Sequence, residues 1–274
     1  TLNWNDDSNN EDGFKIYSNA SGSLTEVATT TANTEAYIDY SSNLEFGKNY
    51  TYKLSSYNQY GESDTPPAVV PDLSGHGDSD DSSTAPGEET LEAYADDVVA
   101  VCEETDATVI CGNSMGGAVA LWIELERDLG VDALVLADSG AKLAVDPEFM
   151  QTLREDFEAA VETLHSPGVL FSDPTDELLE RSRETMRATG RDVTLRDFET
   201  SDRFDVRDRL SEIETPTLAL CGESDPLTPP KFHEYLAEEL PNGTFREIEG
   251  AAHMPMLERP EAFDGAVRAF LSEE

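Results

Sequence analysis

The fold is decided by one stretch of this chain, Gly112-Asn113-Ser114-Met115-Gly116-Gly117. An apolar run at residues 107–111 precedes it, and an apolar run with helical spacing at residues 118–123 follows it. The pattern G-x-S-x-G between a strand and a helix is typical of a nucleophile elbow, a tight turn that exposes the serine hydroxyl. Glycines at such a turn lack the Cβ atoms that would clash where the helix crosses the strand. The stretch therefore predicts an α/β protein with a parallel sheet and with Ser114 as a catalytic nucleophile.

A serine nucleophile needs a general base and an acid that orients the base. After an elbow of this kind, the chain order is serine, then acid, then histidine. His253 follows a short strand pattern at residues 244–249 and fits this order. His165 and His233 lie in helical polar patterns, which predict solvated surface positions. We therefore predict that His253 is the base.

Two acidic residues follow buried-strand patterns and compete for the role of the acid. Asp225 lies in a turn after the apolar run at residues 217–221, and Asp138 follows the run at residues 133–136. Because Asp and Glu make up 58 of the 274 residues, an acid after a strand is frequent by chance. We favour Asp225 and keep Asp138 as the alternative.

Four segments, in the family's order, resemble the α/β-hydrolase family and in particular its small esterase and lactonase members: residues 69–80, 112–117, 222–229 and 250–258. The resemblance covers roughly residues 68–274. It implies a parallel-sheet core in which Ser114 is the nucleophile, His253 the base and Asp225 the acid. It also implies that the Met115 N–H is one donor of the oxyanion hole. Asn113 replaces the histidine or aromatic residue that often precedes the serine, so we expect it to affect substrate preference.

One part of the family pattern is missing from the sequence. The family usually has two or three strands before the strand predicted at Val69-Val70, and a His-Gly loop there supplies the second oxyanion donor. No His-Gly occurs before residue 68, and His76-Gly77 belongs to the following turn. Either Val69-Val70 pairs directly with Val109-Ile110, or another strand fills the gap. Loss of one oxyanion donor costs roughly 100- to 1000-fold in turnover.

This gap leaves several functional hypotheses open. The first is hydrolysis of a small carboxylic ester or lactone through an acyl-enzyme. The alternative is a catalytically impaired fusion that serves as a binding or spacer protein. A third hypothesis keeps the same three residues but applies them to peroxide or to carbon–carbon bonds. The resemblance implies no metal and no organic cofactor, and a small molecule as the partner.

The residues before 68 have a different pattern. Short alternating runs at residues 13–17, 37–40 and 50–57 are separated by clusters rich in Asn, Ser, Gly and Asp, which predicts an antiparallel β-sandwich. The segment resembles a fibronectin type III domain without its first strand, and residues 44–50 resemble that family's tyrosine corner. We therefore predict a sandwich at residues 1–67 and a hydrolase domain at residues 68–274. Residues 66–70 fit the end of the first sheet or the start of the second.

Residues 141–214 are helical in pattern and predict a lid inserted into the hydrolase domain. The apolar residues have helical spacing at residues 147–164 and 174–188. Within this segment, four residues are candidates either to line an acyl pocket or to pack the lid onto the core: Phe149, Met150, Leu170 and Phe171.

The net charge of −40 is extreme for a chain of this length. It favours a protein that works in high salt, where the Debye length falls to about 3 Å at 1 M, over an ordinary acidic protein. Nucleic acids and anionic membranes are poor partners for such a surface. No apolar run reaches 18 residues and no signal peptide is visible. Cys102, Cys111 and Cys221 show no CxxC spacing and are predicted to be buried thiols, which favours a reducing compartment such as the cytoplasm.

Overall fold

The computed structural model describes residues 2–3, 13–20, 25–31, 36–37, 51–58, 61–62 and 69–273. The chain divides into two compact units, Thr1–Val70 and Pro71–Glu274. The division falls three residues after the predicted boundary at residue 67.

The first unit is antiparallel in the part that the structure describes. Its strands are β1 (Leu2–Asn3), β2 (Gly13–Ser18), β3 (Thr25–Thr29), β4 (Ala36–Tyr37), β5 (Tyr52–Asn58) and β6 (Gly61–Glu62). One sheet has the order β3-β2-β5-β6, and β1 pairs with β4. Phe14 and Ile16 are buried on β2 and alternate with half-buried residues, as a sheet with one covered face requires. The fibronectin type III sandwich stays a prediction, since residues 44–50 lie outside the described residues.

The second unit alternates strands and helices. Its core elements are α1 (Glu88–Thr105), β7 (Val109–Asn113), α2 (Met115–Glu126) and β8 (Ala133–Ala137). Then come α3 (Pro147–Glu155), α4 (Phe157–Leu164), α5 (Asp176–Thr189), α6 (Arg191–Arg203) and a 3-10 turn at Arg207–Glu212. The unit ends with β9 (Thr217–Gly222), α7 (Pro230–Glu239), β10 (Gly243–Ile248), α8 (Pro255–Glu258) and α9 (Pro260–Glu273).

The second unit has a four-stranded parallel sheet with the order β10-β9-β8-β7. All residues of β8 and β9 are buried, because helices cover both faces of the sheet. Alternate residues of a strand point to opposite faces. Leu134 and Leu136 therefore pack with the cluster that includes α1 and α2, whereas Val135 packs with the cluster that includes Phe270 of α9. The predicted parallel α/β core is confirmed.

The helices between β8 and β9 are shorter than the sequence pattern predicts. The helical spacing over residues 147–164 is divided between two helices, since α3 ends at Glu155 and α4 begins at Phe157. Asp156 separates them in an extended conformation and accepts a hydrogen bond from the Ala159 N–H at 3.0 Å. Aspartate is a preferred N-cap residue, so it starts a new helix here and the apolar spacing does not reveal the break.

The predicted strand at Val69-Val70 is wrong. Residues 69–73 form no strand, and Val70 is 90% exposed. Pro71 follows directly and has no N–H for a ladder, which disfavours a central strand here. Among the described residues, β7 pairs with β8 alone and is the edge strand of its sheet.

Three predictions about individual side chains are also wrong. His233 and His165 are buried rather than solvated. His233 lies three residues before the buried Leu236, so both are on the face of α7 that packs on the sheet. His165 is covered by α5, where Ser182 lies 2.9 Å from its Nε2. Cys111 is exposed because it alternates with buried residues on the edge strand β7.

No helix in the described part of the chain is long and apolar enough to cross a membrane.

Candidate active site

Ser114 lies in the turn between β7 and α2 with φ 51° and ψ −115°. This left-handed backbone is strained for a residue other than glycine. The Ser114 N–H donates to the carbonyl oxygen of Ala137 at 2.9 Å, which ties the turn to β8. A Cβ atom on Gly112 would lie 2.2 Å from the carbonyl oxygen of Gly116. The sequence therefore forms this turn because glycine is the residue that the close approach accepts.

Asp225 lies in the turn after β9 and is buried. Its Oδ1 accepts the Leu227 N–H at 2.8 Å, and its Oδ2 accepts the Thr228 hydroxyl at 2.6 Å. These donors hold the carboxylate in one orientation. Neither was identified from the sequence, although a threonine three residues after an acid is the available signal.

His253 lies in the loop after β10, and its ring is also buried. Its Nδ1 lies 2.9 Å from Asp225 Oδ2. Because the carboxylate accepts, the proton is on Nδ1 and the Nε2 lone pair is free. The loop is held by Glu258, whose Oε2 accepts the Ala252 N–H at 2.7 Å.

Asn113 connects the serine turn to the histidine loop. Its side-chain amide donates to the carbonyl oxygen of His253 at 3.3 Å and to that of Ala137 at 3.4 Å. The residue before Ser114 therefore contacts the backbone of His253. Among the described residues, no hydrogen bond of 3.5 Å or less joins Ser114 Oγ to His253.

The two competing acids, Asp225 and Asp138, both lie at this site, but the pKa values of their carboxyl groups are shifted in opposite directions. Burial would raise the pKa of Asp225, yet the hydrogen bond and charge of His253, with the Thr228 and Leu227 donors, lower it to about 2. Burial raises the pKa of Asp138 to about 9, with the nearby charge of Asp225 acting in the same direction. Asp138 Oδ1 accepts the Gly222 N–H at 2.9 Å. The histidine pairs with Asp225, the acid that the sequence favours.

Asp138, Asp225 and His253 each have one candidate ligand atom within 4.8 Å of the other two, a spacing that a metal ion accepts. The Asp225 oxygens, however, already accept three hydrogen bonds. His253 Nδ1 carries the proton that it donates to Asp225, so it has no lone pair for a metal ion. The arrangement fits a hydrogen-bonded acid–base pair better than a metal centre, since metal ligands must be deprotonated at the ligating atom.

His233 is a further buried group that the sequence pattern did not reveal. Its Nε2 accepts the Ser139 N–H at 2.8 Å. Burial lowers the pKa of His233 to about 4, so the ring is neutral near pH 7. It therefore fixes the segment after β8, which also contains Asp138.

Met115 begins α2, so its N–H has no acceptor within the helix. The His76 turn is built differently, since the amides of Gly75 and His76 donate to Asp80 and Leu73 within the same loop. His76 Nε2 lies 3.0 Å from Asp197 Oδ2 on α6. The His76 side chain thus attaches this turn to the inserted helices. The amides of residues 75 and 76 already donate to carbonyl oxygens of their own loop, in contrast to the Met115 N–H.

The candidate pocket residues differ in exposure. Met150, Leu170 and Phe171 are buried. Phe149 is half-buried, and its ring lies 5.0 Å from that of Phe198 in an edge-to-face arrangement. The contact with Phe198 of α6 packs Phe149 within the inserted helices, and the lining of an acyl pocket by these four residues stays a prediction.

Comparison with known proteins gives consistent matches. The sequence model of the alpha/beta hydrolase family matches residues 46–266, and so begins inside the segment predicted as a sandwich. A pimeloyl-[acyl-carrier protein] methyl ester esterase of Neisseria meningitidis serogroup A is 30% identical over 218 residues, which is 75% of this chain and 68% of the relative. The 3-oxoadipate enol-lactonase 2 of Acinetobacter baylyi is 26% identical over 210 residues, 73% of this chain and 76% of the relative. A solved thermophilic esterase is 33% identical, with a TM-score of 0.65 and coverage of 73% of this chain and 79% of that chain.

Proposed function

Because the chain belongs to the alpha/beta hydrolase family, we propose that it hydrolyses a small carboxylic ester or lactone through an acyl-enzyme on Ser114. The observation that carries the proposal is the buried hydrogen bond of 2.9 Å between His253 Nδ1 and Asp225 Oδ2. A buried imidazole that is oriented by an ionised carboxylate, with its second nitrogen free, is the general base that a serine nucleophile needs. Esterase and lactonase relatives support this reaction class.

In the proposed acylation, His253 Nε2 removes the proton from Ser114 Oγ as the oxygen attacks the substrate carbonyl carbon. The imidazolium then protonates the leaving alkoxide as the carbon–oxygen bond breaks. Water, activated by the same nitrogen, hydrolyses the acyl-enzyme and restores the serine hydroxyl. Asp225 stays ionised throughout, because its low pKa keeps the negative charge that stabilises the imidazolium.

The Met115 N–H, at the N-terminus of α2, is proposed to donate to the oxyanion of the tetrahedral intermediate. Asn113 is proposed to contribute to substrate preference by holding the histidine loop at the edge of the site. Phe149, Met150, Leu170 and Phe171 are proposed to border the acyl group on the side of the inserted helices.

The rival hypothesis is a catalytically impaired binding or spacer protein. It is favoured by one observation, the missing His-Gly loop, which leaves Met115 as the one assigned oxyanion donor. The two hypotheses differ in turnover and not in fold, so kinetics separates them.

The proposal is tested with a fluorophosphonate probe and a p-nitrophenyl ester. We expect covalent labelling at Ser114 and ester turnover that falls to background in Ser114→Ala. Ser166→Ala is the matched control, because Ser166 is exposed just after α4 and its hydroxyl donates to the Glu162 carbonyl oxygen, away from the proposed site. Folded protein that neither labels at Ser114 nor turns over any ester or lactone in a panel would support the rival.

A further inference from the structure

We propose that Asp138 is a positioning residue of the active site: it carries a proton beside Asp225, so that the buried pair of carboxyl groups presents a single negative charge to His253. The kinetic consequence of this inference rests on the proposed function, whereas the location of the proton does not.

The first argument is the position of Asp138. It follows β8 directly, its side chain is fully buried, and its backbone has φ 44°, a left-handed conformation that costs free energy for an aspartate. One carboxyl oxygen lies within 4.8 Å of both a carboxylate oxygen of Asp225 and a ring nitrogen of His253. Two carboxylates this close in a buried site do not both ionise near neutral pH, because their repulsion is poorly screened there.

The second argument decides which of the two groups keeps the proton. Asp225 accepts three hydrogen bonds, from the Leu227 amide, the Thr228 hydroxyl and His253 Nδ1. Asp138 accepts one, from the Gly222 N–H to Oδ1. Its Oδ2 is buried and receives no hydrogen bond from any donor in the described residues. Donors stabilise the ionised form, so the negative charge stays on Asp225 and the proton on Asp138.

The surrounding charges act in the same direction. The ionisable groups that interact with Asp138, or with the carboxyl pair to which it belongs, are Asp225, His253, Glu258, Cys221 and His233. The nearby charges of Asp225 and Glu258 oppose a further negative charge, and burial raises the pKa of Asp138 to about 9. At pH 7 a protonated Asp138 has a hydroxyl that it donates toward Asp225, the nearest carboxylate within 4.8 Å.

Ionisation of Asp138 changes the site. Above about pH 9 a second carboxylate appears beside the first, and its Oδ2 has no donor within the ranges that the structure describes. Their repulsion moves the Asp225 carboxylate away from the position that orients His253, and kcat/KM falls. Asp138→Asn keeps an acceptor for the Gly222 N–H and a donor toward Asp225 but has no ionisation.

The location of the proton is tested by infrared spectroscopy of the whole chain. Ordinary carboxyl groups are ionised at pH 7, so a protonated-carboxyl stretch that persists at pH 7 identifies a group of strongly raised pKa. We expect this band in the wild type and in Asp132→Asn, a matched control at the exposed position directly before β8, and its loss in Asp138→Asn. Absence of the band from the wild type at pH 7, or its persistence in Asp138→Asn, would overturn the proposal. If Asp138→Asn does not fold, the wild-type spectrum decides.

The kinetic consequence is tested by the pH profile of ester hydrolysis, with each variant normalised to its own maximum. For the wild type and Asp132→Asn we expect kcat/KM at pH 10.5 to be at least about fivefold below its value at pH 8. For Asp138→Asn we expect a change of less than about twofold over that interval, because this variant has no carboxyl group that ionises near pH 9. Coincident profiles of the wild type and Asp138→Asn would sink the positioning role. Failure of the fluorophosphonate to label Ser114 would instead overturn the proposed function and leave the infrared result standing.

Discussion

The hydroxyl of Ser139 donates a hydrogen bond of 2.7 Å to the carbonyl oxygen of Ser114. Ser139 follows β8 and Ser114 follows β7, so the bond joins two neighbouring strand ends at the proposed site. The same carbonyl accepts the Gly117 N–H at 3.0 Å. Ser139, the elbow and the start of α2 are therefore packed as one unit, which explains why Gly117 has no room for a side chain.

Gly117→Ala is expected to destabilise the protein. The added Cβ would lie 2.4 Å from Ser139 Oγ and 2.5 Å from Ser139 Cβ, so the turn or the segment after β8 must move. We expect a loss of about 1–3 kcal/mol in the free energy of unfolding, the usual cost of overpacking, measured by chemical denaturation. Gly116→Ala is the matched control, because no atom in the described part of the chain lies within 4 Å of its added Cβ. It is expected to be neutral or stabilising by up to about 1 kcal/mol, since alanine favours the helix. Equal losses in both variants would contradict the steric explanation.

Asp225→Asn is expected to lower kcat by roughly a thousandfold to ten-thousandfold while leaving the fold intact. An amide oriented toward Nδ1 no longer stabilises the imidazolium and favours the wrong tautomer of His253. The measurement is steady-state hydrolysis of a p-nitrophenyl ester, with circular dichroism to verify folding. Glu223→Gln, two residues away, retains an acceptor for the Gly250 N–H and should change kcat by less than about twofold. A similar small change in Asp225→Asn would exclude Asp225 as the acid.

Glu258 is expected to connect the inserted segment to the catalytic loop. Its Oε1 accepts the Ser172 and Asp173 amides at 2.6 and 3.1 Å, while Oε2 accepts the Ala252 N–H beside His253 at 2.7 Å. Glu258→Ala removes all three acceptor contacts, each of which involves a charged group. We expect a loss of about 1–3 kcal/mol in unfolding free energy and about a tenfold fall in kcat.

The control for Glu258 is Glu261→Ala at the start of α9, an exposed acid three residues later. This variant should change the free energy of unfolding and kcat only slightly. A Glu258→Ala variant that loses stability but keeps full kcat would show that the bridge has no effect on His253.

His233 should make stability depend on pH in the mildly acidic range. Its pKa is lowered from 6.5 to about 4 in the folded state, so the folded protein releases a proton that the unfolded chain retains. The stabilisation is fully present above pH 6.5 and is lost as the pH falls toward 4. We would measure the free energy of unfolding by chemical denaturation at several pH values between 4 and 6.5. It should rise with pH more steeply in the wild type than in His233→Gln, by a difference in slope that corresponds to up to about one proton. Glutamine retains an acceptor for the Ser139 N–H, and identical slopes would contradict the assignment of a buried neutral His233.

Added salt should stabilise the protein. With a net charge of −40, self-repulsion opposes the compact state at low ionic strength, and screening removes most of it near 1 M, where the Debye length is about 3 Å. We expect Tm to rise by several degrees between 0.05 and 1 M KCl in a thermal scan. A flat or falling Tm would support the ordinary acidic protein over the high-salt hypothesis.

Local patterns in the sequence were sufficient to predict the parallel core and the elbow at Ser114. An elbow is a short-range structure, since the clash at Gly112 involves residues four positions apart. The strands β8 and β9 are equally easy to predict from the sequence, because strands covered on both faces contain almost no polar residues. The order of serine, acid and histidine along the chain also requires no knowledge of distances.

Only the tertiary structure decided which side chains meet. Asp138 and Asp225 have the same kind of local sequence, and the choice between them depends on which carboxylate reaches His253 across the strand ends. The burial of His233 and the exposure of Cys111 follow from which faces other elements cover, and the spacing of residues along one helix or strand does not reveal that. Val69-Val70 has the composition of a strand but no strand partner among the described residues. Strand pairing and burial are relations between segments that are distant in the chain. A sequence pattern describes only one of the two segments.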